Sequence, residues 1–169
     1  RMMAAANPEE NPRGLEVTVR DVVDQAAAEL DRAGITDPDT EMGIRRALGT
    51  TYVGLGLYDE ADRHFRRAQE IAATIGKGSR ESMELEIMLA ETDASRGRYR
   101  EAEERLESLV PRIPAGDDPL RARLLLALGG SLGNSSRFAK ADSLLQEAVG
   151  IRRRNVAAGS EEPPQLTLA

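Results

Sequence analysis

The chain has no cysteine, no tryptophan, one histidine and few aromatic residues, which make up 3% of its 169 residues. Without cysteine it forms neither disulfides nor thiolate metal sites. Its formal net charge is −6, and an acidic chain is poorly suited to binding nucleic acid through phosphates. Its longest purely apolar runs, such as Leu124–Leu128, are far shorter than the roughly 20 residues that span a bilayer. We therefore expect neither nucleic-acid binding nor direct insertion of this segment into a membrane.

What the chain does have is a phrase that occurs three times. LGTTYVGLGLYDEADRHFRRA begins at Leu48, LAETDASRGRYREAEERLESL at Leu89 and LGGSLGNSSRFAKADSLLQEA at Leu128. The copies start 41 and 39 residues apart, and a period in this range predicts stacked units that share one continuous core. The residues that align are a small residue (Gly49, Ala90, Gly129), an aromatic (Tyr58, Tyr99, Phe138), an alanine (Ala61, Ala102, Ala141) and a large apolar residue (Phe65, Leu106, Leu145).

Helix-boundary signals predict seven helices. Thr18 and Asp21 have the spacing of a capping box, and Gly34 suits a left-handed C-terminal cap. Asp37-Pro38 and Asp118-Pro119 each place a cap before a proline in the first helical turn. The Ala-, Leu-, Arg- and Glu-rich composition agrees with an all-α fold. The predicted helices are a lead helix near 18–33, followed by pairs near 38–54 and 57–75, 79–96 and 98–110, and 119–133 and 137–154.

The repeat also predicts how each pair packs. The small alanines allow two helices to approach closely, and the large apolar residue four positions later fills the space beside each. Helical spacing gives the first pair two facing apolar stripes, which are Ile44, Leu48, Tyr52 and Leu55 on one helix and Ala61, Phe65, Ala68 and Ile71 or Ala72 on the other.

Residues 38 to 154 resemble the tetratricopeptide repeat family. The similarity rests on the small residue after leucine, the turn glycine, the following aromatic residue and the alanine three residues later. The resemblance implies an all-α, right-handed superhelical solenoid of antiparallel helix pairs that binds proteins or peptides. The middle copy departs from the pattern at Asp93, Arg96 and Leu109, and prolines at 111 and 114 end its second helix early, so we expect it to be the least regular unit.

This resemblance implies a division of the chain. We expect a coil or disordered lead at 1–14 and an N-terminal packing helix at 15–35. Three repeats follow within 36–156, at about 38–76, 79–115 and 118–156. Residues 157–169 form a tail that has the sequence of an opening turn of a fourth, truncated repeat. The face of the third pair with Leu144, Val149 and Ile151 would then be partly open and favour self-association.

A second resemblance concerns residues 2 to about 75. MMAAANPEENPRGLEVTVRDVVDQAAAELD and DPDTEMGIRRALGTTYVGLGLYDEA are similar to the region after the catalytic domain in bacterial serine/threonine protein kinases with C-terminal repeats. The resemblance implies a sensory or docking segment. It leaves two compartments open, the cytoplasm, or the extracytoplasmic side if a transmembrane helix outside this chain tethers it. No kinase motif is present in this chain, so no kinase activity is assigned to it.

Residues that suggest chemistry have simpler structural interpretations. Gly54-Leu55-Gly56 and Gly76-Lys77-Gly78-Ser79 are similar to phosphate-binding loops, but neither follows a strand nor has the Walker order. His64 has no nucleophile or second histidine at a suitable spacing, so we expect it to pack in the helix interface. We expect a solvated helix face for the acidic cluster of Glu101, Glu103, Glu104 and Glu107. We interpret Arg152–Arg154 as positive charges that suit the dipole at a helix C-terminus. We expect no catalytic, metal or cofactor residues.

What remains is a surface. In the resembling family the first helix of each pair lines a concave groove, and the helix sides not used for pair packing supply its lining. Two arginines on this face have the charge for a clamp on a peptide carboxylate, but Thr50 and Met88 occupy positions where such clamps have asparagines. A mixed polar groove fits an extended or helical peptide better, and plain solvation of these side chains is the alternative. The candidate groove residues are Arg46, Thr50, Val53, Glu84, Ile87, Glu91, Arg123, Leu126 and Asn134.

The sequence therefore predicts a non-catalytic protein- or peptide-interaction module, without cofactors, from the repeat region of a bacterial serine/threonine kinase. The alternative is the repeat region of a transcriptional regulator or another adaptor. A small-molecule enzyme is third, because no cluster of titratable residues stands out.

Overall fold

A computed structural model describes residues 18–76, 79–116 and 118–157, and in these ranges the chain is helical with no strand. The predicted lead coil, the segment after residue 157 with its predicted fourth repeat, and Lys77 and Gly78 of the predicted glycine loop lie outside the described residues. The helices are α1 (Val19–Ala33), α2 (Pro38–Gly54), α3 (Tyr58–Thr74), α4 (Ser79–Ser95), α5 (Tyr99–Leu109) with a 3-10 turn at Val110–Arg112, α6 (Asp118–Asn134) and α7 (Phe138–Ala157).

The boundary signals place most helix ends correctly. The Thr18 side chain accepts a hydrogen bond from the Asp21 amide, and the Asp21 carboxylate accepts one from the Thr18 amide, which confirms the capping box. Gly34 ends α1 with φ of 63°, a left-handed conformation that glycine adopts without steric cost. Asp37 caps α2 as predicted, but Asp118 is already the first residue of α6 and not its cap. α7 also continues three residues beyond its predicted end, to Ala157.

The predicted packing between paired helices is confirmed in the cores. Ala61, Ala102 and Ala141 are buried, as are Phe65 and Leu106. Two side-chain clusters form the core, one joining α1 to α4 and one joining α4 to α7. α4 contributes to both clusters, so the core continues from one repeat to the next, as stacked repeats require.

Successive helices pack against each other along the chain, and α4 additionally contacts both α2 and α6. The second helices, α3, α5 and α7, have no comparable contacts with one another. The first helices therefore form the tighter, inner row of the stack. We call the exposed sides of α2, α4 and α6 the inner face.

A polar contact also recurs between repeats. The residue after each aligned alanine is acidic, and in the first two repeats it reaches the end of the first helix of the next repeat. Asp62 lies 3.5 Å from Arg96, and Glu103 bonds Ser135 and Arg137. Glu103 is 5% exposed, so the prediction that the acidic cluster is wholly solvated is wrong for this residue. The cause is the next repeat, which covers Glu103 and supplies its partners.

Two residues of the predicted first-pair stripe are exposed. Ile44 and Leu55 are 36% and 37% exposed, whereas Leu48 and Tyr52 are buried. The residue that aligns with Ile44 in α4, Leu85, is fully buried because α3 covers it. α2 has only α1 on that side, and α1 makes few contacts with it. The first repeat therefore lacks the cover that the later repeats receive.

The middle repeat is the least regular, as predicted. α5 has 11 residues, against 17 in α3 and 20 in α7, and it runs into the 3-10 turn that contains Pro111. Asp93, which aligns with Tyr52, is buried and forms ion pairs with Arg98 and Arg105. The two guanidinium groups compensate for the burial of its carboxylate.

Candidate peptide-binding face

Two ion pairs bridge neighbouring first helices on the inner face. Arg46 of α2 lies 3.2 Å from Glu84 of α4, and Arg123 of α6 lies 3.2 Å from Glu91 of α4. Glu84 also pairs with Arg80 one helical turn away. The two arginines considered as a carboxylate clamp are thus already bound to carboxylates of the chain. These pairs are partly exposed, so each contributes little to stability and its main effect is on how the helices align.

The other predicted groove residues divide into exposed and half-buried positions. Thr50 is exposed on α2 and its hydroxyl donates to the Arg46 carbonyl at 3.0 Å. Asn134 is exposed at the end of α6. Val53 is half-buried against the first core cluster, and Leu126 is half-buried against the second. Among these four residues, the exposed ones are therefore polar and the half-buried ones are apolar.

Ile87 does not line the groove, and its prediction as a groove residue is wrong. It is fully buried in the second core cluster with Met83 and Ala90. α4 is the central helix and is covered on two sides, since Leu85 and Leu89 pack into the first cluster. Its buried sector is consequently wider than a single amphipathic stripe would indicate.

Several glycines give the inner-row helices open positions. A Cβ atom built on Gly43, Gly130 or Gly133 would have no neighbour within 4 Å outside its own helix backbone. A helical glycine costs about 1 kcal/mol relative to alanine, and here packing does not require it. Open glycines allow another backbone to approach these helices closely.

A polar cluster that sequence reasoning did not identify joins α1 to the first repeat. Arg45, 8% exposed, pairs with Asp31 of α1 and Glu41 of its own helix. The Tyr52 hydroxyl donates to Asp24 of α1 at 2.8 Å. The sequence does not reveal this cluster, because Arg45 lies outside the predicted apolar stripe of α2, and an arginine there is expected to be exposed to solvent.

His64 lies in the same cluster, as the packing residue the sequence predicts. Its ring stacks on Tyr52, with ring centroids 5.4 Å apart and planes at 11°. Burial and the nearby Arg45 guanidinium lower the pKa of His64, while burial and the bond to Asp24 raise the pKa of Tyr52 to about 12. Both groups are therefore neutral near pH 7, and the Tyr52 hydroxyl contacts α1 through its bond to Asp24.

In the parts of the chain that the structure describes, no group of three or more histidine or acidic side chains is arranged to hold a metal ion. None of the described helices combines the length and apolarity needed to cross a membrane.

A comparison with family models agrees with the helical stack. A family model described as tetratricopeptide repeat matches residues 41–113, which span α2 to just past the 3-10 turn. The crystal structure of BtubC (BKLC) from P. vanneervenii aligns with 89% of this chain and 77% of its own, at 18% identity and a TM-score of 0.36. No curated protein matches the chain. The fold is an all-α solenoid of the tetratricopeptide type, and repeats of this type suggest a protein–protein interaction module.

Proposed function

We propose that the inner face binds a segment of a partner protein, in extended or helical form. The observation that supports this is the row of α2, α4 and α6, aligned by the Arg46–Glu84 and Arg123–Glu91 pairs. This row presents exposed Thr50 and the open glycines Gly43 and Gly130 between charged groups of both signs. Such a surface allows close backbone approach and offers hydrogen-bonding groups along its length.

The charge pattern indicates the kind of segment that fits. Both arginines of the face are paired, so a single free carboxylate has no unshared cation to bind there. A peptide with alternating charges can form ion pairs with these arginines and glutamates in place of the intramolecular pairs, because each intramolecular pair is partly exposed and weak in water. Apolar side chains of the peptide would contact the half-buried Val53 and Leu126 at the edges.

Selection from a displayed library of random peptides on the immobilised full chain tests this function. Thr50→Leu and Gly130→Leu place bulk on the inner face, where both positions are exposed. Ala73→Leu on the exposed side of α3 is the matched control. We expect the enriched peptides to lose binding to both inner-face variants and to keep it with the control. Peptides that bind all three variants alike, or the absence of any enriched peptide, would contradict the proposal.

We further propose that this module is the docking region of a bacterial serine/threonine kinase, with a transcriptional regulator or adaptor as the alternative. The support is the sequence resemblance of residues 2 to about 75. The coding sequence upstream of Arg1 distinguishes the two. Kinase motifs there support the first proposal, and a DNA-binding domain supports the alternative.

A further inference from the structure

The last of the described helices, α7, has an apolar stripe that the described residues cover only in part: Leu145 packs beside Gly129 of α6, and the others are largely exposed. Phe138, Val149 and Val156 are 67%, 42% and 39% exposed, and Leu145 is half-buried between them. Their spacings of 7, 4 and 7 residues place all four on one side of α7. Ile151, predicted to lie on the open face, is instead buried on the other side, so only Val149 of the predicted open residues is well exposed.

Earlier repeats show what normally covers this side of a second helix. Tyr58, which aligns with Phe138, has the guanidinium of Arg96 from the next repeat 5.9 Å from its ring centre. Asp62 and Glu103 contact the end of the next first helix, but among the described residues Asp142, at the same position, bonds only Gln146 of its own helix. A cleft of about 500 Å³ opens along the end of the stripe, between Leu126, Val149 and Val156.

Charges of opposite sign flank the two ends of the stripe. Asp142 lies near its start and Arg153 near its end, and both are exposed. At 100° per residue, they fall on the same flank of the helix. Arg153 lines the cleft and has no ion-pair partner among residues 18–76, 79–116 and 118–157. A partner for this surface therefore needs a matching apolar stripe with the charges in reverse order.

We propose that the partner is a second copy of the chain, with its α7 antiparallel to the first about a two-fold axis near residue 147. Phe138 then faces Val156 of the other copy, and Leu145 faces Val149. Asp142 faces Arg153, and the symmetry forms this ion pair twice. In a parallel arrangement about a two-fold axis, the charged flanks of the two copies would lie on opposite sides of the helix pair, so the Asp142–Arg153 ion pairs would not form. This interface lies on α7, at the end of the described helices, reaches the edge of the inner face at Leu126, and goes beyond the proposed function.

The interface is expected to be weak. Each copy contributes one helix, so the contact is small beside the roughly 1,200–2,000 Å² that specific interfaces bury. The dimer should therefore dissociate on dilution, because association scales with concentration. Added salt should weaken it further, since the charge pairs are at its exposed rim.

Sedimentation of the full chain over a range of concentrations tests the proposal, using Asp142→Arg and Arg153→Asp. Each variant alone opposes like charges, so we expect each to be monomeric where the native chain is dimeric. An equimolar mixture restores both opposite-charge pairs, so the mixture should dimerise. Because the mixture recovers association, misfolding of either variant cannot explain the loss. Arg154→Asp, exposed on α7 but off the stripe, is the control and should dimerise like the native chain.

Three results would overturn the inference. One is a native chain that stays monomeric at every concentration. Another is a mixture no more dimeric than its components. The last is a result for the monomeric Leu166→Asp variant, in which a soluble paramagnet broadens the methyl signals of Val149 and Val156 more than in the native monomer. That result would mean that residues 158–169 of the same chain cover the stripe.

Discussion

Gly49 of α2 lies directly against the Phe65 ring of α3, and a Cβ atom built on this glycine would be 2.5 Å from Cε1 of the ring. Phe65 is 1% exposed, so the ring has no free space into which to move. In the third repeat a Cβ on Gly129 would lie 2.8 Å from Leu145, which is only half-buried. The small residue after each repeat leucine therefore sets the distance between paired helices.

Substituting these glycines by alanine should distinguish the effect of packing on stability from the effect of helix propensity. Gly49→Ala should destabilise by about 1–3 kcal/mol, because the added methyl group overpacks the site. Gly129→Ala should cost less, since Leu145 can turn toward solvent. Gly130→Ala, next in sequence but with open space around it, should stabilise by up to about 1 kcal/mol. Urea denaturation of the three variants gives the order, and a destabilised Gly130→Ala would contradict the assignment of open space there.

The two phenylalanines of the chain provide a matched pair for the core. Phe65→Ala should cost about 3–5 kcal/mol, because it removes a fully buried aromatic ring. Phe138 is 67% exposed, and Phe138→Ala should change stability by no more than about 0.5 kcal/mol in dilute solution. The free energy of unfolding from denaturant titration measures both. Equal effects would show that the repeat register is wrong.

Two alanines of α3 test the close approach of the helices. Ala61 is fully buried and Ala73 is exposed on the same helix. Ala61→Leu should destabilise by about 1–3 kcal/mol, because the interface has no volume for the larger side chain. Ala73→Leu should have almost no effect on the denaturation midpoint. An unchanged midpoint for Ala61→Leu would contradict the predicted packing.

The lone histidine should make stability depend on pH. The pKa of His64 is lowered from 6.5 by burial and by Arg45, with Arg63 acting in the same direction and Asp31 opposing them. The folded state therefore binds the proton less readily than the unfolded state, so stability is lost as the pH falls through 6.5 toward the lowered pKa. Thermal unfolding between neutral pH and mildly acidic pH should show this loss. In His64→Gln the slope should be shallower, and an unchanged slope would exclude His64 as its source.

Tyr52 should hold α1 on the stack. Tyr52→Phe removes the bond to Asp24 and should cost about 0.5–1.5 kcal/mol, because Asp24 is half-exposed and water can replace the donor. Tyr58→Phe is the control. Amide hydrogen exchange should accelerate throughout α1 in the first variant only. If exchange accelerates in α4 or α6 and not in α1, the prediction that Tyr52 holds α1 on the stack is wrong.

Local sequence signals were sufficient for the helices. Cap residues, glycines and prolines act within one or two turns, which is why the predicted ends of α1 to α6 agree with the structure to within one residue. The aligned alanines and Phe65 were also correctly placed in the core, because every copy of the repeat uses them in the same contact.

The inner face was predicted less completely. Arg46, Glu84, Glu91 and Arg123 lie on it, but the sequence does not show that they pair with each other across helices. Their partners are 38 and 32 residues away, and only the stacking of the repeats brings them together.

The sequence by itself determined the helical repeat, its period and the residues that hold each pair of helices together, because these depend on contacts within one unit. The tertiary structure decided which flanks are covered. Ile87 and Glu103 are buried because a neighbouring repeat lies over them, whereas Ile44 and Phe138 are exposed where such cover is slight or absent among the described residues. The same residue pattern thus has different burial at the centre and at the ends of the stack, because burial depends on the neighbour as well as on the helix.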